Sequence, residues 1–373
     1  MGFLFASQSD VTLIVIKEPT ENDENKTKTA LFHVDRAKLI ESSAYFRTMF
    51  SSRWERAGKY NPTLRGDTIK SMEVILGSIH GFDPEPESVS VTDVWYTMRA
   101  CNKYLLDPKK LVGWFTRWIQ WIDQEDTTIW EDLDFNRQLL FPCYFFDHAN
   151  AFQQISKRLV YDNPGYITEL APRDSPLFEP MHMPAIAMRK STSLVSLRPK
   201  NSNSQKEQLR AARGRLRTIL QRSLFEDVNV TIDYAYCACA AHTIFSYMRE
   251  LHRIGVRPLD GDIHKNGVRD ILNRLKGFNE EKTLNGQSSV QRYTGCSHSW
   301  KFVVEHSRKQ VEGYFDGLCL DCMHNNPDEN SEYWSLDTIR YVYGKDCRIS
   351  HGQPTWYFSF MGHRDRNPSR MQS

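Results

Sequence analysis

The spacing of hydrophobic and polar positions changes along the chain and predicts strands near the N terminus followed by helices. Residues 10–16 and 30–34 are short runs rich in β-branched and aromatic residues, which is the pattern typical of strands. Apolar residues then recur at helical spacing in four segments, residues 37–50, 67–82, 92–104 and 108–122. Strands followed by helices predict an α+β domain, which we place at residues 7–122.

The rest of the chain divides by composition into further regions. Residues 123–170 keep a helical pattern and are predicted to form a helical extension. Residues 171–205 contain five of the sixteen prolines and many serines, so we predict a partly disordered linker. Helical periodicity returns in residues 206–362, which predicts a mainly helical domain. Residues 363–373 are predicted to be a disordered tail.

Composition narrows the class of protein. Of the 373 residues, 40% are hydrophobic and 25% are charged, which is typical of a folded protein. The net charge of +2 gives no strong electrostatic field that would attract nucleic acid or a membrane. No apolar run reaches the roughly 18 residues that a membrane helix needs. The first ten residues lack a signal-peptide pattern, so an intracellular protein of cytoplasm or nucleus is expected. No nucleotide-binding or hydrolase motif is present, and we predict no enzyme activity.

Cysteine and histidine cluster in residues 206–362 and suggest structural zinc. Six of the eight cysteines follow residue 200. Cys319-x-x-Cys322 has the spacing of half a tetrahedral zinc site. Nine candidate ligands form half-sites for one or two ions, with their pairing open: Cys237, Cys239, His242, Cys296, His298, Cys319, Cys322, Cys347 and His351. The alternative is that the cysteines are reduced, buried thiols that behave as small hydrophobic residues.

The helix predicted over residues 206–224 is strongly basic, and two interpretations remain open. Within this range Glu207 is the one acidic residue, set against six cations. The cations are Lys206, Arg210, Arg213, Arg215, Arg217 and Arg222. These side chains suit phosphate binding. Alternatively, they form a solvated helix face or pair with acidic residues elsewhere in the protein.

Three short motifs in roughly the first third of the chain resemble the BTB/POZ domain. The motifs are Ser9-Asp10-Val11, then Phe32-x-Val34-Asp35-Arg36-x-x-Leu39, and then Ser43-x-Tyr45-Phe46-x-x-Met49-Phe50. The resemblance implies a small sheet capped by helices. It also implies a protein-interaction module, which is often a homodimer and sometimes a substrate adaptor of cullin-based ubiquitin ligases.

The same resemblance assigns candidate interface residues. Asp10 and Arg36 occupy positions that pair in a buried site of BTB dimers, whereas Asp35 stands where the family usually has His. Cullin-binding members carry a hydrophobic-x-Glu element after the Met-Phe pair. This chain has Trp54 in the hydrophobic place and Arg56 in place of the acid, with Glu55 one position off. We therefore expect protein partners and a homodimer, with weak or absent cullin binding.

Two further functions remain as alternatives. BTB domains also occur on zinc-finger transcription factors, so a nucleic-acid-associated regulator with structural zinc is the second interpretation. No zinc-finger spacing of Cys and His pairs is present, and this argues against nucleic acid as the partner. A metal-dependent enzyme would rest on the Cys and His cluster alone, and no His-Glu-x-x-His motif accompanies it.

Overall fold

The computed structural model describes residues 1–6, 9–17, 27–51, 61–82, 84–125, 127–168, 170–172, 204–235, 240–256, 265–280, 299–324 and 347–351. These residues divide into two compact units. One contains Met1–Ala151 and residues 170–172, and the other contains Phe152–Thr168 and the described residues from 204 onward. The predicted tail and nearly all of the predicted linker lie outside these ranges. No helix in the described ranges has both the length and the apolar character to cross a membrane.

A four-stranded sheet forms one side of the first unit and confirms the α+β class. Its strands are β1 (Gly2–Leu4), β2 (Val11–Lys17), β3 (Lys28–Val34) and β4 (Thr63–Arg65), in the spatial order β1-β3-β2-β4. β2 and β3 are antiparallel, whereas β1 pairs with β3 and β4 pairs with β2 in parallel. Because strand side chains alternate between faces, Leu13, Phe32 and Val34 lie on one face and are buried.

Six helices among the described residues cover this sheet and extend the first unit. They are α1 (Arg36–Ser42), α2 (Ala44–Met49), α3 (Ile69–His80), α4 (Val91–Lys103), α5 (Val112–Glu125) and α6 (Leu133–Phe145). Local signals set several of their ends. The Thr68 hydroxyl caps α3 by accepting the Ser71 amide at 3.0 Å, and Gly81 ends that helix with φ of 83°. Ser90 and Asp93 form a capping box at the start of α4.

The predicted helix over residues 37–50 is interrupted at Ser43, which is extended and separates α1 from α2. The Ser43 hydroxyl donates to the Tyr104 carbonyl at 2.5 Å and accepts the Phe46 amide at 3.1 Å. The second bond caps α2. The break therefore depends on a contact with a residue far along the chain.

Aromatic side chains fill the core of the first unit. Phe46 stacks on Tyr104 with ring centroids 5.3 Å apart. Trp114 and Trp118 on α5 are buried, and Trp114 meets Phe146 edge to face. The helical spacing of these tryptophans is thus explained by packing.

The described part of the second unit is helical. Its elements are α7 (Ala149–Asp162, from Phe152 onward), α8 (Ser204–Tyr234), α9 (Ala240–Arg253), α10 (Val268–Leu275), α11 (Trp300–Glu312) and α12 (Leu320–His324). Leu216, Leu220 and Leu224 on α8 are fully buried, as their helical spacing predicts. Tyr247 joins three helices, because its ring stacks on Trp300 at 4.2 Å and its hydroxyl donates to the Leu224 carbonyl at 3.0 Å.

Candidate metal centre

Three thiols and one imidazole converge in the second unit. Cys319, Cys322, Cys347 and His351 each bring one ligand atom to a point where all four atoms lie within 4.8 Å of one another. The Sγ atom of Cys322 lies 3.5 Å from Sγ of Cys347 and 3.2 Å from Nε2 of His351. All three cysteines are free thiols. These side chains form what we call the Cys/His cluster.

The first half of the cluster is held against α7. The Leu318 amide donates to the Ser156 hydroxyl at 2.7 Å, immediately before Cys319. Leu318, Cys319 and Leu320 are fully buried. Cys319 directly precedes α12 and Cys322 lies in its first turn, and their Sγ atoms lie within 4.8 Å of each other.

The backbone beside this half-site requires glycine. Gly317 has φ of 103°, and a Cβ atom there would lie 2.1 Å from the Gln153 carbonyl oxygen. Only glycine permits both this dihedral and this close approach. The approach brings the chain that carries Cys319 directly onto α7.

An ion pair joins the second half of the cluster to the first. Asp321 lies between the first two cysteines, and Arg348 directly follows Cys347. The Arg348 amide donates to one carboxylate oxygen of Asp321 at 2.8 Å, and its Nε donates to the other at 2.9 Å. Such a two-pronged contact fixes both position and orientation. The pair therefore sets the register between residues 347–351 and α12.

The four residues fit a tetrahedral zinc ion. Zinc with Zn–S bonds of about 2.3 Å and Zn–N bonds of about 2.0 Å holds its ligand atoms about 3.5 to 3.8 Å apart. The separations of 3.5 and 3.2 Å, within an outer limit of 4.8 Å, match this size after small shifts. Three cysteines and one histidine are also a common ligand set of structural zinc sites.

The electrostatics of the cluster favour a thiolate. Hydrogen bonds from Cys322 and His351 lower the pKa of Cys319, because they stabilise its charged form. The pKa of Cys322 is raised, since it is the donor in this bond and is buried beside that charge. Cys101 and Cys143 differ, because burial alone dominates and raises the pKa of each thiol. Those two thiols match the interpretation as small hydrophobic residues.

The nine candidate ligands predicted from the sequence fall into three groups by their place in the structure. The structure brings four of them together and pairs Cys319 and Cys322 with the half-site of Cys347 and His351. His242 lies exposed on α9 and belongs to no cluster of possible metal ligands in the described ranges. The remaining four lie outside the described residues and are Cys237, Cys239, Cys296 and His298.

The candidate interface residues of the first unit lie just before β2 and at the turn from β3 into α1. The exposed carboxylate of Asp10 accepts the backbone amide of Arg36 at 2.8 Å. The guanidinium of Arg36 donates to the Phe50 carbonyl at 2.6 Å. Asp35 caps α1 by accepting the Ala37 amide at 2.8 Å. Residues 54–56, which are Trp54, Glu55 and Arg56, lie outside the described residues.

Some residues that hold the Cys/His cluster in place are not among the nine ligands predicted from the sequence. Ser156 and Gly317 carry no motif signal, because their roles arise from contacts between distant parts of the chain. The sequence does place Asp321 between Cys319 and Cys322, and it places Arg348 between Cys347 and His351. These positions put both residues next to predicted ligands, but they do not indicate that the two side chains bind each other.

No protein-family model, no curated protein and no solved structure matches this chain. The features that bear on its function are the Cys/His cluster and the motifs in the first unit.

Proposed function

We propose that this chain is a non-enzymatic protein-interaction protein whose second unit is stabilised by structural zinc. The first unit acts as a BTB-like module that self-associates or recruits a partner. The observation that carries the zinc assignment is the convergence of Cys319, Cys322, Cys347 and His351. The interaction role rests on the motif resemblance together with the small sheet capped by helices.

A structural ion agrees better with this geometry than a catalytic one. Catalytic zinc sites keep one position open for water or substrate, whereas four protein ligands close the shell. Cys319 and Cys322 are buried, which limits the approach of a substrate. The nearby carboxylate of Asp321 is bound by Arg348, so it is poorly placed to act as a general base.

The ion would cross-link two segments that are far apart in sequence. Structural zinc contributes on the order of 10 kcal/mol to the folding of small domains, because the site forms only in the folded state. Here the ion would tie residues 347–351 to α12, which the Leu318 and Gly317 contacts hold on α7. We infer that zinc stabilises the arrangement of α7, α12 and residues 347–351.

The first unit supports the interaction role through the positions of its motif residues. Phe32, Leu39 and Phe46 are fully buried, so these motif positions form the core that a BTB-like module requires. The polar motif residues Asp35 and Ser43 cap the two short helices. Self-association follows from the resemblance, and the basic Arg56 keeps cullin binding weak.

Metal analysis of the full chain tests the zinc assignment. Protein purified without chelator should contain about one zinc per chain at this site. Cys319→Ser should lower both zinc content and thermal stability. Cys101→Ser is the matched control, because it changes an equally buried thiol outside the cluster and should leave zinc content unchanged. Wild-type protein with far less than one zinc would show that the cluster is not a metal centre.

Light scattering of the full chain tests the interaction role. We expect a dimer at micromolar concentration, and monomer mass at every concentration would contradict self-association. A cullin pull-down should give little binding, and Arg56→Glu should strengthen it. Tight binding of cullin by the unmodified chain would refute the interpretation of residues 54–56.

A further inference from the structure

Three arginines on α8 form a basic stripe beside the loop that follows α7. Arg210, Arg213 and Arg217 are spaced three and four residues apart, so they share one helical face. Arg213 is only 8% exposed, and its Nη1 donates to the carbonyls of Asn163, at 2.9 Å, and Gly165. A fully solvated helix face is therefore excluded for this residue.

Among the described residues the stripe lacks a counter-charge. Burial, together with repulsion from Arg217 and Arg210, lowers the pKa of Arg213 to about 10. No carboxylate in the described part of the chain bonds to any of the three guanidinium groups. Elsewhere on the same helix Arg222 lies 3.5 Å from Glu226, which is the ordinary way to neutralise such a residue. Pairing with acidic side chains in the described part of the chain thus does not explain the stripe.

Arg217 also lacks hydrogen-bond acceptors. Its Nε and Nη2 atoms are buried and have no partner among the described residues, and burial lowers the pKa of this side chain. Leaving the donors of a charged group unpaired is costly. Arg210 is exposed, and its guanidinium carbon lies 5.2 Å from the centre of the Tyr166 ring. Arg210 and Arg217 therefore have donors that no described residue uses.

We propose that Arg210 and Arg217, on either side of Arg213, bind a phosphate group of a small ligand, as a phosphate monoester or a diphosphate. The planar guanidinium fork matches two phosphate oxygens, and a multiply charged anion relieves the repulsion within the stripe. The size favours a small ligand over nucleic acid, because seven helical residues span only about 10 Å. This site goes beyond the proposed function and does not depend on zinc.

Isothermal titration calorimetry of the full chain with inorganic pyrophosphate and inorganic phosphate tests the proposal. Arg217→Gln and Arg210→Gln should each weaken pyrophosphate binding about tenfold or more, as expected for a lost charge-assisted bond. Arg215→Gln is the matched control. It removes the same charge from an exposed position between Arg213 and Arg217, off the stripe, and should change affinity less than about twofold.

Defined outcomes overturn the proposal. No binding of either anion at about millimolar concentration would remove the site. An equal loss in Arg215→Gln would show general electrostatic attraction instead of a site. Binding of a single-stranded oligonucleotide without binding of pyrophosphate would favour nucleic acid and refute a small-ligand site. If Arg217→Gln does not fold, Arg210→Gln decides the matter, because Arg210 is exposed.

Discussion

Gly317→Ala should destabilise the second unit strongly, because two independent penalties act at this position. The dihedral φ of 103° lies in a region where L residues are strained, at a cost of about 1–2 kcal/mol. The new Cβ atom would lie 2.1 Å from the Gln153 carbonyl oxygen, so the backbone of one segment must move. Together we expect a loss of about 3–5 kcal/mol in the free energy of unfolding, at the upper end for single substitutions.

Gly214→Ala is the matched control, because the same methyl group is added within the same unit. Gly214 lies inside α8, and a Cβ atom there meets nothing within 4 Å. Alanine in a helix interior should therefore stabilise the protein by about 0.5–1 kcal/mol. The two variants are predicted to shift stability in opposite directions.

Urea unfolding followed by circular dichroism measures both variants, with zinc content measured in parallel. With a slope of about 2 kcal/mol per molar urea, Gly317→Ala should lower the midpoint of the second unit by about 2 M. It should also lower zinc content, because Cys319 lies two residues further along the chain. An unchanged midpoint would refute the close approach of Gly317 to α7.

Three further predictions concern single side chains. Tyr161→Phe should cost about 1–3 kcal/mol in urea unfolding, because the buried hydroxyl donates to the Val311 carbonyl at 2.7 Å; an unchanged midpoint would contradict that bond. Asp321→Asn should weaken zinc binding about tenfold in a chelator competition, since it loosens the contact with Arg348; unchanged affinity would show that the ion pair does not position the ligands. Burial lowers the pKa of His80 below its ordinary 6.5, so the unfolded chain binds a proton at this imidazole more readily than the folded chain does. The free energy of unfolding should therefore fall as the pH drops below about 6.5. His80→Asn should make this fall less steep, and an equal slope in both proteins would contradict the prediction.

The sequence by itself determined most of the secondary structure, because each element depends on neighbouring residues. The strand predicted at residues 10–16 is Val11–Lys17, and the basic helix predicted from residue 206 is found within Ser204–Tyr234. Burial of Leu216 and Leu220 follows from helical spacing alone. The sequence also predicted the half-sites as possible zinc ligands, since Cys-x-x-Cys spacing involves only neighbouring residues.

The tertiary structure decided which half-sites pair and where a helix predicted from local spacing is interrupted. The Sγ atoms of Cys322 and Cys347 lie 3.5 Å apart, and an Asp321–Arg348 contact accompanies them. Sequence spacing does not specify which half-sites meet. The break at Ser43 needs the Tyr104 carbonyl, 61 residues away in sequence. Long-range contacts of this kind depend on how the helices pack. A single sequence indicates which residues are buried but not which residues they pack against.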